Sequence, residues 1–306
     1  MVTHDTPSGR LLRPVRAHPV TAFLVWFFTV GQAVAFAPVV LAANGVDVPV
    51  QPFIVASTLV GLLLPALVLT RLVDGPDALR ALWRRAVDVR VGLGWYVLAV
   101  VGVPAVTLGI AVALLGPPTG TVPALGGLLV GSFLLPLALT LLPNNLWEEV
   151  AWAGFVQTRL QARRGPVVAA VLTGVLFALQ HVSLVVGSGP AAGAVLLAVL
   201  AVLAVPFRAL IGWVLNRTGS LFLVGLIHAT GNAAATGSGF GPGLLGRLYP
   251  GDTTATTAHL LAFLVLGLVV LVATRGRLGA PRPATASPRP ATVADPSSLG
   301  SSAAAR

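Results

Sequence analysis

The only two glutamates of this chain, Glu148 and Glu149, stand side by side in the stretch NNLWEEVAWAG. They interrupt a run that is otherwise apolar. Two further apolar runs carry one histidine each, His181 in GVLFALQHVSL and His228 in LFLVGLIHATGN. Asn232 lies one helical turn beyond His228 on the same face, and His181 shares a face with Phe177 in the same way. Two carboxylates, two imidazoles and an amide are groups that handle protons and oxyanions. A glutamate poised by burial and by neighbouring histidines can take a proton from water and later return it to a leaving amine. The histidines and the asparagine can hydrogen-bond a developing oxyanion; alternatively His181 and His228 can act as ligands of a divalent metal such as zinc. The matching reaction is hydrolysis of an acyl bond, most naturally a peptide.

Each group alone has a plainer explanation. The glutamates would form a carboxylate pair in a water-exposed connector if the apolar run ended at Leu142. His181, or His228 with Asn232, would then be a hydrogen-bonding contact between packed membrane helices. Together the groups point to one shared site, because polar side chains inside a bilayer must find one another or line a wet cavity. Glu148 precedes Arg159 by three helical turns, about 16 Å below the membrane surface. A charge near the bilayer centre costs about 2.5–3.5 kcal/mol even on the lenient insertion scale, so it needs a reason.

The elements that must position these residues are membrane helices. Of 306 residues, 56% are hydrophobic and 9% charged, against about 25% charged in soluble domains. The absence of cysteine excludes thiolate catalysis, cysteine-ligated metal and disulfides. All 19 basic residues are arginine. Although the net charge is +10, the arginines fall between apolar runs and make no basic face, which argues against nucleic acid. Runs of about 20 apolar residues, enough to cross a bilayer, fall near 20–42, 52–73, 92–115, 123–143, 166–187, 191–213, 219–236 and 258–274. The expected fold is all-α, a polytopic bundle of about eight transmembrane helices. The run from 123 to 160 is too long for one upright span, so Pro136 or Pro143 is expected to kink or divide it.

Arginine placement predicts topology. Arg10, Arg13 and Arg16 precede the first span, and Arg71, Arg80, Arg84, Arg85 and Arg90 separate the second from the third. Arg159, Arg163 and Arg164 follow the fourth, Arg208 and Arg217 flank the turn after the sixth, and Arg275, Arg277, Arg282, Arg289 and Arg306 follow the last. All of these fall on one side and only Arg247 on the other, which makes both termini cytoplasmic in a multi-pass protein of the cell membrane. The first run is too long for a cleaved signal peptide and reads as a signal anchor. Along the chain we expect a cytoplasmic segment at 1–19 and N-terminal membrane helices at 20–122, with a surface amphipathic helix at 74–90 presenting Leu79, Leu82, Trp83 and Val87. A catalytic core at 123–236, a last loop and helix at 237–275 and a disordered Pro/Ala-rich tail at 276–306 follow.

Other intramembrane protease designs do not fit. There is no HExxH, no aspartate inside a span and no GxSG. The ordered set EEVAWAG, FALQH (Phe177 to His181) and HATGN (His228 to Asn232), each on its own apolar run over residues 123–236, resembles the CPBP family. These are the CAAX proteases and bacteriocin-processing proteins, also called Abi, which include the Ras-converting enzyme. The resemblance implies an intramembrane endopeptidase acting on a membrane-associated protein or peptide. Glu148 would be the general base, Glu149 a supporting carboxylate, and His181, His228 and Asn232 would orient water and stabilise the oxyanion. One position departs from the family motif EExxxR, since Ala153 stands at the arginine. Arg159 and Arg163 follow on the same helix but at other depths. Two other functions fit parts of the pattern. A catalytically silent scaffold or bacteriocin-immunity protein would explain Ala153, and a proton-coupled transporter would use the Glu and His groups as a relay. The transporter fits least, because its binding residues usually come from both halves of the chain.

Overall fold

The computed structural model describes residues 13–120, 124–235, 241–252 and 254–280, and all regular structure among them is helical. The expected N-terminal segment and the Pro/Ala-rich tail lie largely outside these residues. Six helices are long and apolar enough to cross a bilayer: α1 (Pro19–Ala43), α2 (Val50–Val73), α4 (Leu93–Leu115), α5 (Leu125–Arg164), α8 (Pro190–Thr218) and α11 (Ala255–Ala273). A seventh span results if α6 (Pro166–Gln180) and α7 (Val182–Ser188), which meet at 48°, are counted as one. The remaining elements are α3 (Pro76–Ala86), α9 (Leu221–Ala234) and α10 (Leu244–Leu248). The expected seventh span, 219–236, is α9, which is shorter than a bilayer crossing. It is buried along almost its whole length, so it behaves as the core of the bundle.

The outward faces are aliphatic. Val25, Val101, Val202 and Val272 are 60, 58, 68 and 77% exposed, and such a surface is stable only against lipid. Proline does not divide α5 as expected. The helix instead runs continuously for 40 residues, passing through wide π turns at Val130–Leu134, Leu141–Asn145 and Val150–Gln157. A π turn loosens the backbone where proline lacks its N–H and crowds the preceding carbonyl. Two of these turns bracket the single α turn Leu146–Glu149 that carries the carboxylates.

The aromatic core holds α1 against α5. Trp152 packs edge-on to Phe23 and Phe27, with ring centroids 5.8 and 5.7 Å apart, and Phe155 lies 5.3 Å from Phe23. The amphipathic helix α3 forms, but its inward residues are Leu82 and Ala86, while Trp83 and Val87 are exposed. Arg85 Nε on α3 donates to the Gly219 carbonyl at 3.0 Å, fastening α3 to the α8–α9 turn.

Glycines let other backbones close on α8. A Cβ at Gly174 of α6 would lie 2.9 Å from the Val205 backbone, and one at Gly267 of α11 would fall on the Pro206 carbonyl. Close approach through small residues is how helices pack in lipid, where burial of apolar surface offers no drive. Gly267→Ala should therefore lower the unfolding temperature in detergent, at a cost of about 1–3 kcal/mol. Gly109→Ala, where nothing lies within 4 Å, should leave it unchanged.

Candidate active site

Glu148 is 4% exposed and Glu149 0%, so the reading of the pair as a water-exposed connector is overturned. Successive residues on a helix point about 100° apart, and the two carboxylates accordingly face different neighbours. Glu148 lines a cavity of about 470 Å³, together with Asn145, Gln180, His181, His228 and Asn232. Gln180 Nε2 donates to Glu148 Oε1 at 2.7 Å, and Asn145 Nδ2 donates to Oε2 at 3.2 Å. Glu149 turns away from the cavity toward α8.

There it meets Arg208. Nη1 donates to Glu149 Oε1 at 2.9 Å and to Oε2 at 2.8 Å, and both side chains are 0% exposed. Sequence reading placed Arg208 with the cytoplasmic arginines at the end of the sixth span. The structure corrects this: Arg208 lies roughly three turns before α8 ends at Thr218, inside the bundle. The sixth span thereby brings a charged group to the site. The signal available in the sequence was an arginine inside an apolar run, which a charge count by loop passes over.

His228 on α9 joins the two halves. Its Nδ1 lies 3.0 Å from Glu149 Oε1 and 3.8 Å from Glu148 Oε2. With a carboxylate as nearest partner, Nδ1 is assigned the proton, and Nε2 is left as the acceptor 3.4 Å from Asn145 Nδ2. Phe177 and Phe207 pack edge-on to the ring at 5.6 and 5.1 Å, which limits its rotation. Asn232 Nδ2 donates to Asn145 Oδ1 at 3.0 Å. His181 sits at the corner between α6 and α7, with φ −87° and ψ 8°, in the sparse bridge region where many active-site residues are found. Its Nδ1 is held by the Phe177 carbonyl at 2.8 Å, and the ring borders the same cavity as Glu148.

The structure thus gathers all five expected residues, four on the cavity and Glu149 behind it. Sequence reading missed the groups that hold them. Asn145 touches Glu148, His228 and Asn232 at once. Gln180 is locked by Trp152 Nε1–H, which donates to its Oε1, and by Gln32 of α1, which donates to its backbone carbonyl at 3.0 Å. His259 lines an apolar cavity of about 100 Å³ with His228, Phe207 and Phe263. Among the described residues no group of three or more His, Asp or Glu side chains is placed to hold a metal ion. His228 presents both ring nitrogens to protein groups. The donor set as placed does not fit a metal bound by His181 and His228.

Residues 130–234, about a third of the chain, match the family model described as Rce1-like, the type II CAAX prenyl endopeptidase Rce1-like family. This segment is similar to that family. It contains every residue of the hydrogen-bonded site except Gln32 of α1. No curated protein and no solved structure matches the chain. The Rce1-like match and the six apolar helices long enough to cross a bilayer agree with a multi-pass membrane protein.

Removing one member of a buried ion pair strands the other, at about 3–5 kcal/mol, whereas replacing both is often close to neutral. Arg208→Met and Glu149→Gln should each lower the detergent unfolding temperature by more than the double variant does. A loss in the double equal to the sum of the two single losses would mean the pair is not coupled.

Proposed function

We propose that this chain is an intramembrane endopeptidase in which Glu148 activates water for attack on a peptide bond of a membrane-associated substrate. The observation that carries this reading is the state of the Glu148 carboxylate. It borders a cavity of about 470 Å³, with each oxygen already engaged by an amide that fixes its direction. Water in that cavity gives its proton to Glu148 as its oxygen bonds to the scissile carbonyl carbon. The carbonyl oxygen becomes an oxyanion, which the Asn232 amide N–H would stabilise, while the unprotonated histidine nitrogens accept from the water and orient it. Collapse breaks the C–N bond, and Glu148 returns the proton to the departing amine. The products are a new carboxyl terminus and a free amine.

Glu149 takes no proton in this scheme. It holds His228 by Nδ1, so that the Nε2 edge, next to Asn145, is presented toward the cavity. No step is routed through a metal. The arginine distribution supports cytoplasmic termini, and Glu148 then lies part-way into the membrane from the cytoplasmic face. The cut would fall near that face.

The test is cleavage of a membrane-presented peptide library by purified protein in proteoliposomes. Glu148→Gln keeps the shape and one of the two amide hydrogen bonds but removes the base, and should slow cleavage by about 10²–10⁴. His228→Ala removes the ring that holds Glu149 and Asn145 in place and should slow cleavage by about 10²-fold. A parent protein that cuts nothing across the library, or a Glu148→Gln variant at parental rate, would sink the reading.

A further inference from the structure

Arg208 belongs to α8, yet its side chain serves α5. Beyond its bonds to both oxygens of Glu149, Nε donates to Gln157 Oε1 at 2.9 Å. Gln157 Nε2 donates back to the Arg208 carbonyl at 2.9 Å. Glu149 and Gln157 lie four residues to either side of Ala153 on the same helix. Arg208 therefore reaches across from the neighbouring helix to the two positions that flank Ala153. Ala153 and Arg208 are both 0% exposed, so an arginine side chain extended from position 153 would need space that Arg208 fills.

We infer that Arg208 is a positioning residue of this site, supplying from α8 the countercharge that Ala153 removes from α5. The inference rests on the proteolytic reading of the site and answers the one feature of the sequence that favoured a silent scaffold. Arg208 acts through a chain of contacts. It fixes Glu149, Glu149 fixes His228 through Nδ1, and His228 together with Asn145 and Asn232 lines the cavity beside Glu148. Lysine would serve poorly here. The position uses two separate guanidinium nitrogens, one on the carboxylate and one on Gln157. The guanidinium carbon lies 5.7 and 5.6 Å from the Phe177 and Phe207 rings, which suits a flat, weakly hydrated cation.

The experiment moves the charge back to α5. Arg208→Ala, Ala153→Arg, the double variant Ala153→Arg/Arg208→Ala, and Arg208→Lys are each purified and compared with the parent. Unfolding temperature in detergent and kcat and KM for a membrane-presented peptide are measured on the same preparations. Arg208→Ala leaves Glu149 without a countercharge, and Ala153→Arg crowds two cations into one space. Each should lower the unfolding temperature and reduce kcat at least tenfold. The double variant should exceed both single variants in unfolding temperature and in kcat, with KM little changed, and Arg208→Lys should fall short of the parent in kcat.

A double variant no more stable than the single variants, or one that does not fold, overturns the inference. Recovery of stability without recovery of kcat also overturns it, because Arg208 would then be only a structural counter-ion. If the parent itself cuts nothing, the proteolytic reading fails and takes the positioning role with it. The unfolding temperatures still decide the exchange of countercharge: recovery in the double variant upholds it, and absence of recovery refutes it.

Discussion

A full positive charge and a full negative charge sit 2.8 Å apart in the interior of this bundle, with no exposed surface on either side chain. Neither Glu149 nor Arg208 has water to fall back on, so α5 and α8 must hold their relative register for either to be tolerated. The glycine contacts at Val205 and Pro206 bring α6 and α11 hard against α8 just before Arg208. On the opposite side, a Cβ at Gly225 would stand 3.0 Å from the Leu146 backbone, which keeps α9 equally close to the carboxylate turn. Close packing of five helices is thus the condition for one ion pair, and the ion pair in turn fixes where His228 stands.

Two adjacent glutamates make sense in that frame. A single helical turn directs one to the neighbouring helix and the other to the cavity. Glu149 anchors the helix to α8 and Glu148 borders the cavity. The π turns before and after Leu146–Glu149 give this short segment its own rotational setting within a continuous helix. That is a use of π geometry often seen at functional sites. Asn145, at the end of the first π turn, can then face Glu148, His228 and Asn232 together.

Much of this was legible in the sequence. Helical class, the main apolar elements and the convergence of Glu148, Glu149, His181, His228 and Asn232 follow from charges and imidazoles standing where lipid would reject them. What stayed hidden has physical reasons. Asn145, Gln180 and Gln157 are uncharged, and amides in apolar runs look the same whether they face a site or pack between helices. Arg208 was assigned to the surface because arginines near span ends usually mark topology, and only the fold shows a guanidinium turned inward. The length of α5 was hidden by Pro136 and Pro143, which usually end helices but are accommodated here by π turns. Helix α9 reads as a bilayer span because a buried core helix is as apolar as a lipid-facing one.

The account turns on Glu148 acting as a base toward water and not as a nucleophile. Cleavage by the parent protein in ¹⁸O-enriched water, limited to a single turnover and followed by mass spectrometry, tests this directly. General-base attack predicts one ¹⁸O atom in the new carboxyl terminus of the product and none in the enzyme. Label appearing in the peptide that contains Glu148, with an unlabelled product after the first turnover, would contradict the account.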